Sequence, residues 1–479
     1  MPNKKLLKTM IAGFALMSHA GGAATPAETV TAATDRQGLA ITIYNDDLAL
    51  VKDVRRVRLA RDNNQLVWDD VPAQMHPETA QLRHTSRPAG FRVEEQHFDL
   101  DRLTPEQLLE KHAGREVIVI RTHPTTGAET REAATVLATN GGVVLQFADR
   151  VETGVPGRLA FPSVPFGLRA KPALDILLVT PTAGAQTLEL SYLTGGLSWR
   201  ADYVAELDER DGRLDLNGWA TLTNQSGAAY PEATLQLVAG NVNRVRDARR
   251  LPEAVAMSAK VADVPEMQQE SLFEYHLYTL PRPIALAENQ TKQVGLMTAT
   301  RVPVRRQFLL EGAGYYYSGQ HPELERDIKA GVFVEFDNRG EGLGVPLPGG
   351  LVRVYKRDSA GAAQFIGEAR INHTPKNESV RLKLGDAFDL TADKKQTAFQ
   401  KLAGSSRYNQ VFESAYEIVL KNAKREAVTV TVREQVPGDW TMVGESLPHA
   451  RPASGTAEWQ VRVAAEGKTT LSYRVRVRY

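Results

Sequence analysis

Residues 188–207 read LELSYLTGGLSWRADYVAEL, and this stretch decides the fold class. Leu188, Leu190 and Tyr192 alternate with other residues before Gly195-Gly196, and Leu197, Trp199, Ala201, Tyr203, Ala205 and Leu207 alternate after it. A period of two puts every second side chain on one side of an extended backbone, so each half reads as a strand with one apolar face. Paired glycines between two such strands predict a hairpin. The pattern continues outward, with Asp211-Gly212 ahead of RLDLNGWATLTN and NQSG at 224–227 ahead of TLQLVAG, which makes an antiparallel meander. Trp199 and Trp219 are expected to pack its sandwich.

Towards the N-terminus, LAITIYN and LALVKDVRRVRL flank a turn at Asn45-Asp46-Asp47, with 65–71 as a third strand, in a strand-rich domain over 37–99. One helix is marked by Thr104 as N-cap, Pro105 at the first helical position, Gln107 closing a capping box and Gly114 as the stop. VIVI at 117–120 follows, and Asn140-Gly141 ahead of GVVLQF predicts a two-residue hairpin, which suggests a small SH3-like or Sm-like barrel over 100–165. Residues 246–274 lack clean periodicity and read as a mobile insertion in a β-sandwich over 172–388. Residues 391–410 read as a second soft region. YEIVLKN, AVTVTVREQV, AEWQVRVAA and TTLSYRVRVRY resemble an immunoglobulin-like sheet over 411–479. The expected class is therefore mainly β: multidomain antiparallel β-sandwiches, an immunoglobulin-like C-terminal part and one small helix-containing barrel.

Lys4, Lys5 and Lys8 precede the uncharged run MIAGFALM at 10–17 and the small residues SHAGGAA at 18–24. This is the pattern of a cleaved secretory signal peptide, here 1–24, and the expected location is the periplasm or cell surface. The run is far shorter than the roughly 20 residues needed to span a bilayer, and no later stretch suits a membrane helix. No Cys follows the leader, which excludes a lipid-anchored form. The 58 basic and 57 acidic residues lose three lysines with the leader, leaving 55 against 57, a balance that predicts no nucleic-acid or anionic-membrane partner. With no Cys, disulfides and thiolate metal sites are excluded.

Four long segments carry a family resemblance: SYLTGGLSWRADYVAEL, GWATLTNQSGAAYPEATLQLVAGNVNRV, YHLYTLPRPIALAENQTKQV and GEGLGVPLPGGLVRVYKRDSAGAAQFIGEARINHTP. Together they resemble exported bacterial proteins carrying domain of unknown function 4139. The same domain closes the mucoidy-inhibitor A proteins, which place a long coiled coil upstream; no sustained heptad pattern occurs here. The resemblance implies a β-rich fold ending in immunoglobulin-like sheets and an envelope setting. It brings no catalytic residues to map.

Direct inspection assigns no catalytic residue, metal or cofactor. The ten histidines, among them His76, His84, His97, His112 and His123, are scattered without HExxH spacing. Glu335, Asp337 and Glu341 are oxygen donors of the kind calcium uses, without EF-hand spacing, and read as a solvated turn. There is no G-x-S-x-G elbow, and the glycine-rich run 340–350 has two prolines and no lysine, unlike a phosphate loop. The ligand-binding candidates are Tyr315, Tyr316 and Tyr317, flanked by Gly312, Gly314 and Gly319. Three adjacent aromatics cannot all face one core, and an exposed ring is what sugar or peptide recognition uses; the structural alternative is a strand alternating between core and interface. At the C-terminus, Leu471, Tyr473, Val475, Val477 and Tyr479 alternate with Ser472 and three arginines. That is the ending of an outer-membrane barrel, or an edge strand blunted by charge. The reading is a non-catalytic binding or assembly module of the cell envelope, with an envelope protein or polysaccharide as partner. The alternatives are an envelope hydrolase acting on polysaccharide or peptide, which needs two facing carboxylates, and an outer-membrane barrel.

Overall fold

The computed structural model describes residues 27–86, 90–99, 103–165, 168–208, 212–240, 267–272, 275–321, 325–404 and 406–479. The expected leader and most of the expected insertion 246–274 lie outside the described residues. The described end of that insertion is a strand, Gln268–Leu272, paired with Tyr275–Thr279. The chain is mainly β, and Pro105–Glu110 is the one α-helix among the described residues. No described helix is long and apolar enough to cross a membrane.

The chain divides into two compact units, one drawn from Met1–Gln37, Val54–Val71 and Leu82–Glu189, the other from Gly38–Asp53, Pro72–Gln81 and Leu190–Tyr479. In the first unit a four-stranded sheet runs in the order Ala27–Thr31, Asp62–Asp69, Ala173–Thr180, Arg92–Asp99. Its second sheet runs Val151–Thr153, Val144–Gln146, Glu129–Ala138, Glu116–Thr122, Arg158–Ala160, over a core of Val117, Val119, Ala134, Val136, Leu145 and Phe147. The helix beside it starts as expected: Thr104 Oγ1 accepts from Gln107 N–H at 3.2 Å and Pro105 opens the first turn. The helix ends earlier than expected, at Glu110 with Lys111 as its C-cap, and Gly114, at φ +76°, lies in the loop beyond it.

The expected small barrel is not closed. Its two outer strands are three residues long and pair only inward, so the sheet stays open. The two-residue Asn140-Gly141 turn is also corrected. A type I′ turn needs positive φ at both central residues. Here Gly141 and Gly142 take it instead, and the connection lengthens to 139–143.

The expected hairpin at Gly195-Gly196 is a corner between two sheets. Gly184–Thr194 lies between Leu48–Leu59 and Met75–His84, whereas Leu197–Leu207 pairs with Arg213–Asn224 and, in parallel, with Gly350–Arg357. The glycines' backbone groups are used by other loops: Gly195 N–H donates to Gln74 O at 3.0 Å, Gly196 N–H to Asp47 Oδ1 at 2.8 Å, and Gln225 N–H to Gly196 O at 2.6 Å. Gly196 has φ +77°, and a Cβ there would lie 2.5 Å from Ser226 Cα.

Beyond the corner, one sheet runs Gln290–Pro303, Arg213–Asn224, Leu197–Leu207, Gly350–Arg357, Ala363–Ile371. It faces Tyr230–Ala239, a strand of the other sheet, because buried Trp199 donates its indole N–H to Val238 O at 3.1 Å. Trp199 thus packs the sandwich as expected. Trp219 does not: it pairs with Asp202 on the opposite face and is only half-buried, since Gly218 and Ala220 occupy the inward positions around it.

Nine strands from 305 onward form one continuous sheet in the order Asp439–Glu445, Lys468–Arg478, Val411–Asn422, Ser379–Leu402, Glu325–Asp337, Arg305–Glu311, Val428–Gln435, Thr456–Val463, Ala450–Ala453. The sheet doubles over. Trp459, in its eighth strand, stacks 4.7 Å from Tyr473 in its second. The strands expected at 411–479 therefore share one core with 305–337 and 379–402, including Phe308, Leu390, Tyr416, Val430 and Trp459. The soft region expected at 391–410 is largely strand, because Ser379–Leu402 continues through it. Lys468–Arg478 is not an edge strand, being flanked by Val411–Asn422 and Asp439–Glu445, and Arg474 and Arg476 pair with Glu413. Among the described residues no sheet closes into a barrel.

Both sandwiches of the second unit repeat one device. Asn224 Nδ2 donates to Ala228 O and Ala287 O at 2.8 and 2.9 Å while its Oδ1 accepts Ser226 N–H at 3.1 Å. Asn422 Nδ2 donates to Glu426 O and Ala464 O at 2.8 and 2.9 Å while its Oδ1 accepts Lys424 N–H at 2.9 Å. Two residues past the second carbonyl, Asn289 and Glu466 both adopt positive φ, 55° and 50°. Each asparagine ends a strand and ties its own loop to the loop entering the neighbouring strand.

Candidate functional site

The tyrosine triplet is a single 3₁₀ turn, Gly314–Tyr317, and not a strand. With about three residues per turn, successive side chains diverge by roughly a third of a circle. Three consecutive rings therefore point three ways: Tyr316 and Tyr317 are buried and Tyr315 is 57% exposed. The turn is held from below. Tyr416 Oη donates to Tyr316 O at 2.7 Å, Gln396 Nε2 donates to Gly319 O at 3.0 Å, and Gln396 Oε1 accepts His321 N–H at 2.7 Å. Tyr315 sits edge-on against Tyr316 and His321, with ring centroids 4.4 and 5.7 Å away.

Beneath the turn lies an ion pair that the sequence reading missed. Lys394 Nζ is 2.7 Å from both oxygens of Glu434, and both side chains are 2% exposed. Tyr317 Oη donates to Glu434 Oε2 at 2.9 Å and stands 3.0 Å from Tyr473 Oη. The ammonium lies 4.2 Å from the Tyr316 ring centroid and 5.2 Å from that of Tyr416, so aromatic faces supplement the carboxylate. Tyr316 Oη donates to Glu325 Oε1 at 2.6 Å. Gly312 makes room for the acid, since a Cβ there would stand 2.0 Å from Glu434 Oε2.

Burial dominates the electrostatics. It lowers the Lys394 pKa, opposed by the charge of Glu434 and its hydrogen bonds, and raises the Tyr317 and Tyr473 phenols well above their ordinary value. Burial also lifts Tyr416 to about 12. The phenols therefore remain protonated donors at neutral pH. No external substrate reaches Lys394 or Glu434, whereas the ring of Tyr315 is open to solvent on a fixed mount.

A signal for the pair was present. Val428, Val430, Val432 and Val436 are buried at every second position, and Glu434 stands where that series calls for an apolar residue. Lys394 and Gln396 continue the inward face of Leu390 and Ala392 in the same way.

The remaining candidates are occupied structurally. Arg305 contacts Glu335 and Asp337 at 2.8 and 3.0 Å, and Arg339 and Ser379 also engage Asp337, so these carboxylates are neutralised by arginine. Hydrogen bonds from Arg305 and Ser379 hold the Asp337 carboxyl down at about 2. Among the described residues no three His, Asp or Glu side chains gather in a metal-binding group. An open hollow of about 640 Å³ is lined by Glu206, Asp208, Asp215, Arg213, Arg301 and Arg357. Its acids are engaged: Glu206 pairs with Arg357 at 2.6 Å, Asp208 accepts Gly212 N–H at 2.8 Å and Asp215 accepts Arg301 N–H at 2.7 Å. Backbone hydrogen bonds from Gly212 and Arg213 lower the Asp208 pKa, the opposite of what a general acid needs.

No curated protein of described function matches the chain. The model of the family defined by domain of unknown function 4139 matches residues 188–479, and the chain belongs to that family.

Proposed function

We propose that this member of the domain of unknown function 4139 family is an exported, non-catalytic binding or assembly module of the bacterial envelope, and that Tyr315 contacts its ligand. The observation that carries the reading is one exposed aromatic ring on a turn whose backbone is pinned by Tyr416 and Gln396. A flat, pre-positioned ring suits stacking on a sugar face and loses little entropy on binding. The leader pattern at 1–24 supports the envelope assignment, and an envelope polysaccharide is the favoured partner.

The test is co-sedimentation of the leader-free protein with isolated cell-wall polysaccharide. Tyr315→Ala is expected to weaken retention about tenfold, the scale of losing one aromatic anchor, with the unfolding midpoint unchanged. Equal retention of Tyr315→Ala and the parent protein would remove Tyr315 from the reading, and absence of any retention would remove the polysaccharide.

A further inference from the structure

We propose that Lys394 and Glu434 become joined by an intramolecular amide bond, formed by the folded chain itself. The reacting groups are already in contact, with Nζ 2.7 Å from both carboxylate oxygens. They sit on the fourth and seventh strands of the folded sheet, so the bond would tie its two halves together.

The surroundings favour condensation over a permanent ion pair. Two charges held out of water are costly even when paired, and the amide replaces them with a neutral group. At 2% exposure for each side chain, bulk water, the reagent of the reverse reaction, is kept out. Burial also lowers the Lys394 pKa, which favours the nucleophilic amine.

The step balances without a co-reactant. One proton passes from Nζ to Glu434 Oε1, leaving an amine beside a carboxylic acid. The nitrogen lone pair attacks Cδ, the N–C bond forms, and the C=O electrons move onto Oε2. That oxygen already accepts the hydrogen bond of Tyr317, which is itself 3.0 Å from Tyr473 Oη, so the developing oxyanion is met by a placed donor. Collapse re-forms the C=O at Oε2 and breaks Cδ–Oε1. Oε1 departs as water with a second proton from Nζ, and the third stays as the amide N–H. Tyr317 is then a catalytic residue, and Gly312 a positioning residue that lets the carboxylate lie against the backbone.

The experiment is intact mass spectrometry and peptide mapping of the full protein purified in its folded form. The expected mass is one water below that of the chain, with the peptides around Lys394 and Glu434 recovered as one branched species. Lys394→Arg is expected to give the full mass and two separate peptides. Glu434→Gln would condense with loss of ammonia and yield the same linked product as the parent. A parent protein of full mass, with the two peptides separate, overturns the proposal and leaves an ion pair. That outcome is readable from the parent alone, whatever the folding yield of the variants, and is independent of what Tyr315 binds.

Discussion

Trp459 and Tyr473 stack with ring centroids 4.7 Å apart and planes 28° from parallel, although their strands stand eighth and second in the sheet. Tyr473 in turn stacks on Tyr416 at 5.1 Å, so one aromatic column crosses the doubled sheet. Trp459 also donates its indole N–H to Glu445 Oε2 at 2.9 Å. Trp459→Ala is expected to cost ~3–5 kcal/mol, the usual range for removing a buried large aromatic. Trp459→Phe keeps most of the apolar contact and loses mainly the hydrogen bond, ~1 kcal/mol. Urea unfolding of both variants would check the order, and equal losses would contradict the stacking account.

The paired asparagines give a second expectation. Asn224 and Asn422 are each almost wholly buried and each holds two carbonyls and an amide. Replacement by Ala at either position strands those groups, at ~1–3 kcal/mol. Thermal unfolding should show losses of similar size at the two sites. A silent Asn422→Ala would mean that the second loop is held by something else.

At the sheet corner, Gly196→Ala meets both a left-handed backbone and Ser226, whereas Gly141→Ala, at φ +81° with nothing within 4 Å of its Cβ, meets only the backbone term. The backbone term alone is about 1–2 kcal/mol. Gly196→Ala is therefore expected to lower the unfolding midpoint clearly more than Gly141→Ala. Equal effects would mean that the close approach to Ser226 is not rigid.

Acid sensitivity follows from Asp337. Its carboxyl titrates at about 2 in the folded chain against an ordinary 3.8. A depressed folded value contributes stability that is complete above the unfolded pKa and disappears as pH falls through the folded one. The contribution of this group should therefore fade between about pH 4 and pH 2. Asp337→Asn is expected to flatten the fall in urea midpoint over that window, relative to the parent protein. An identical pH profile in the variant would place the effect on other groups.

How much of this was legible in the sequence depended on whether the signal was local. The cap at Thr104 and the inward face of Leu197–Leu207 rest on contacts within a few residues, and they appear as expected, whereas the helix ends at Glu110, short of the expected stop at Gly114. The Gly195-Gly196 corner was read as a hairpin because alternation resumes in the same manner on both sides. Periodicity reports which face is apolar, not which strand is the neighbour. Strand Ser379–Leu402 was hidden where Lys394 and Gln396 take inward positions, since a charged residue there breaks the hydropathy pattern without breaking the strand. Of the triplet's two readings, one expected an exposed ring and the other an alternating strand; a short turn separates the three rings, and only Tyr315 is left outside.

Strand Arg305–Glu311 runs parallel to Val428–Gln435, and Gln307 reaches Thr431 from 124 residues away along the chain. A parallel neighbour so distant cannot form while the intervening chain is still being made. Until then one edge of Arg305–Glu311 has no partner, with Phe308 and Leu310 lacking the strands that later bury them. The growing chain therefore carries an uncovered half-sandwich until most of its last third has been made, the interval in which it is most exposed to association with other chains.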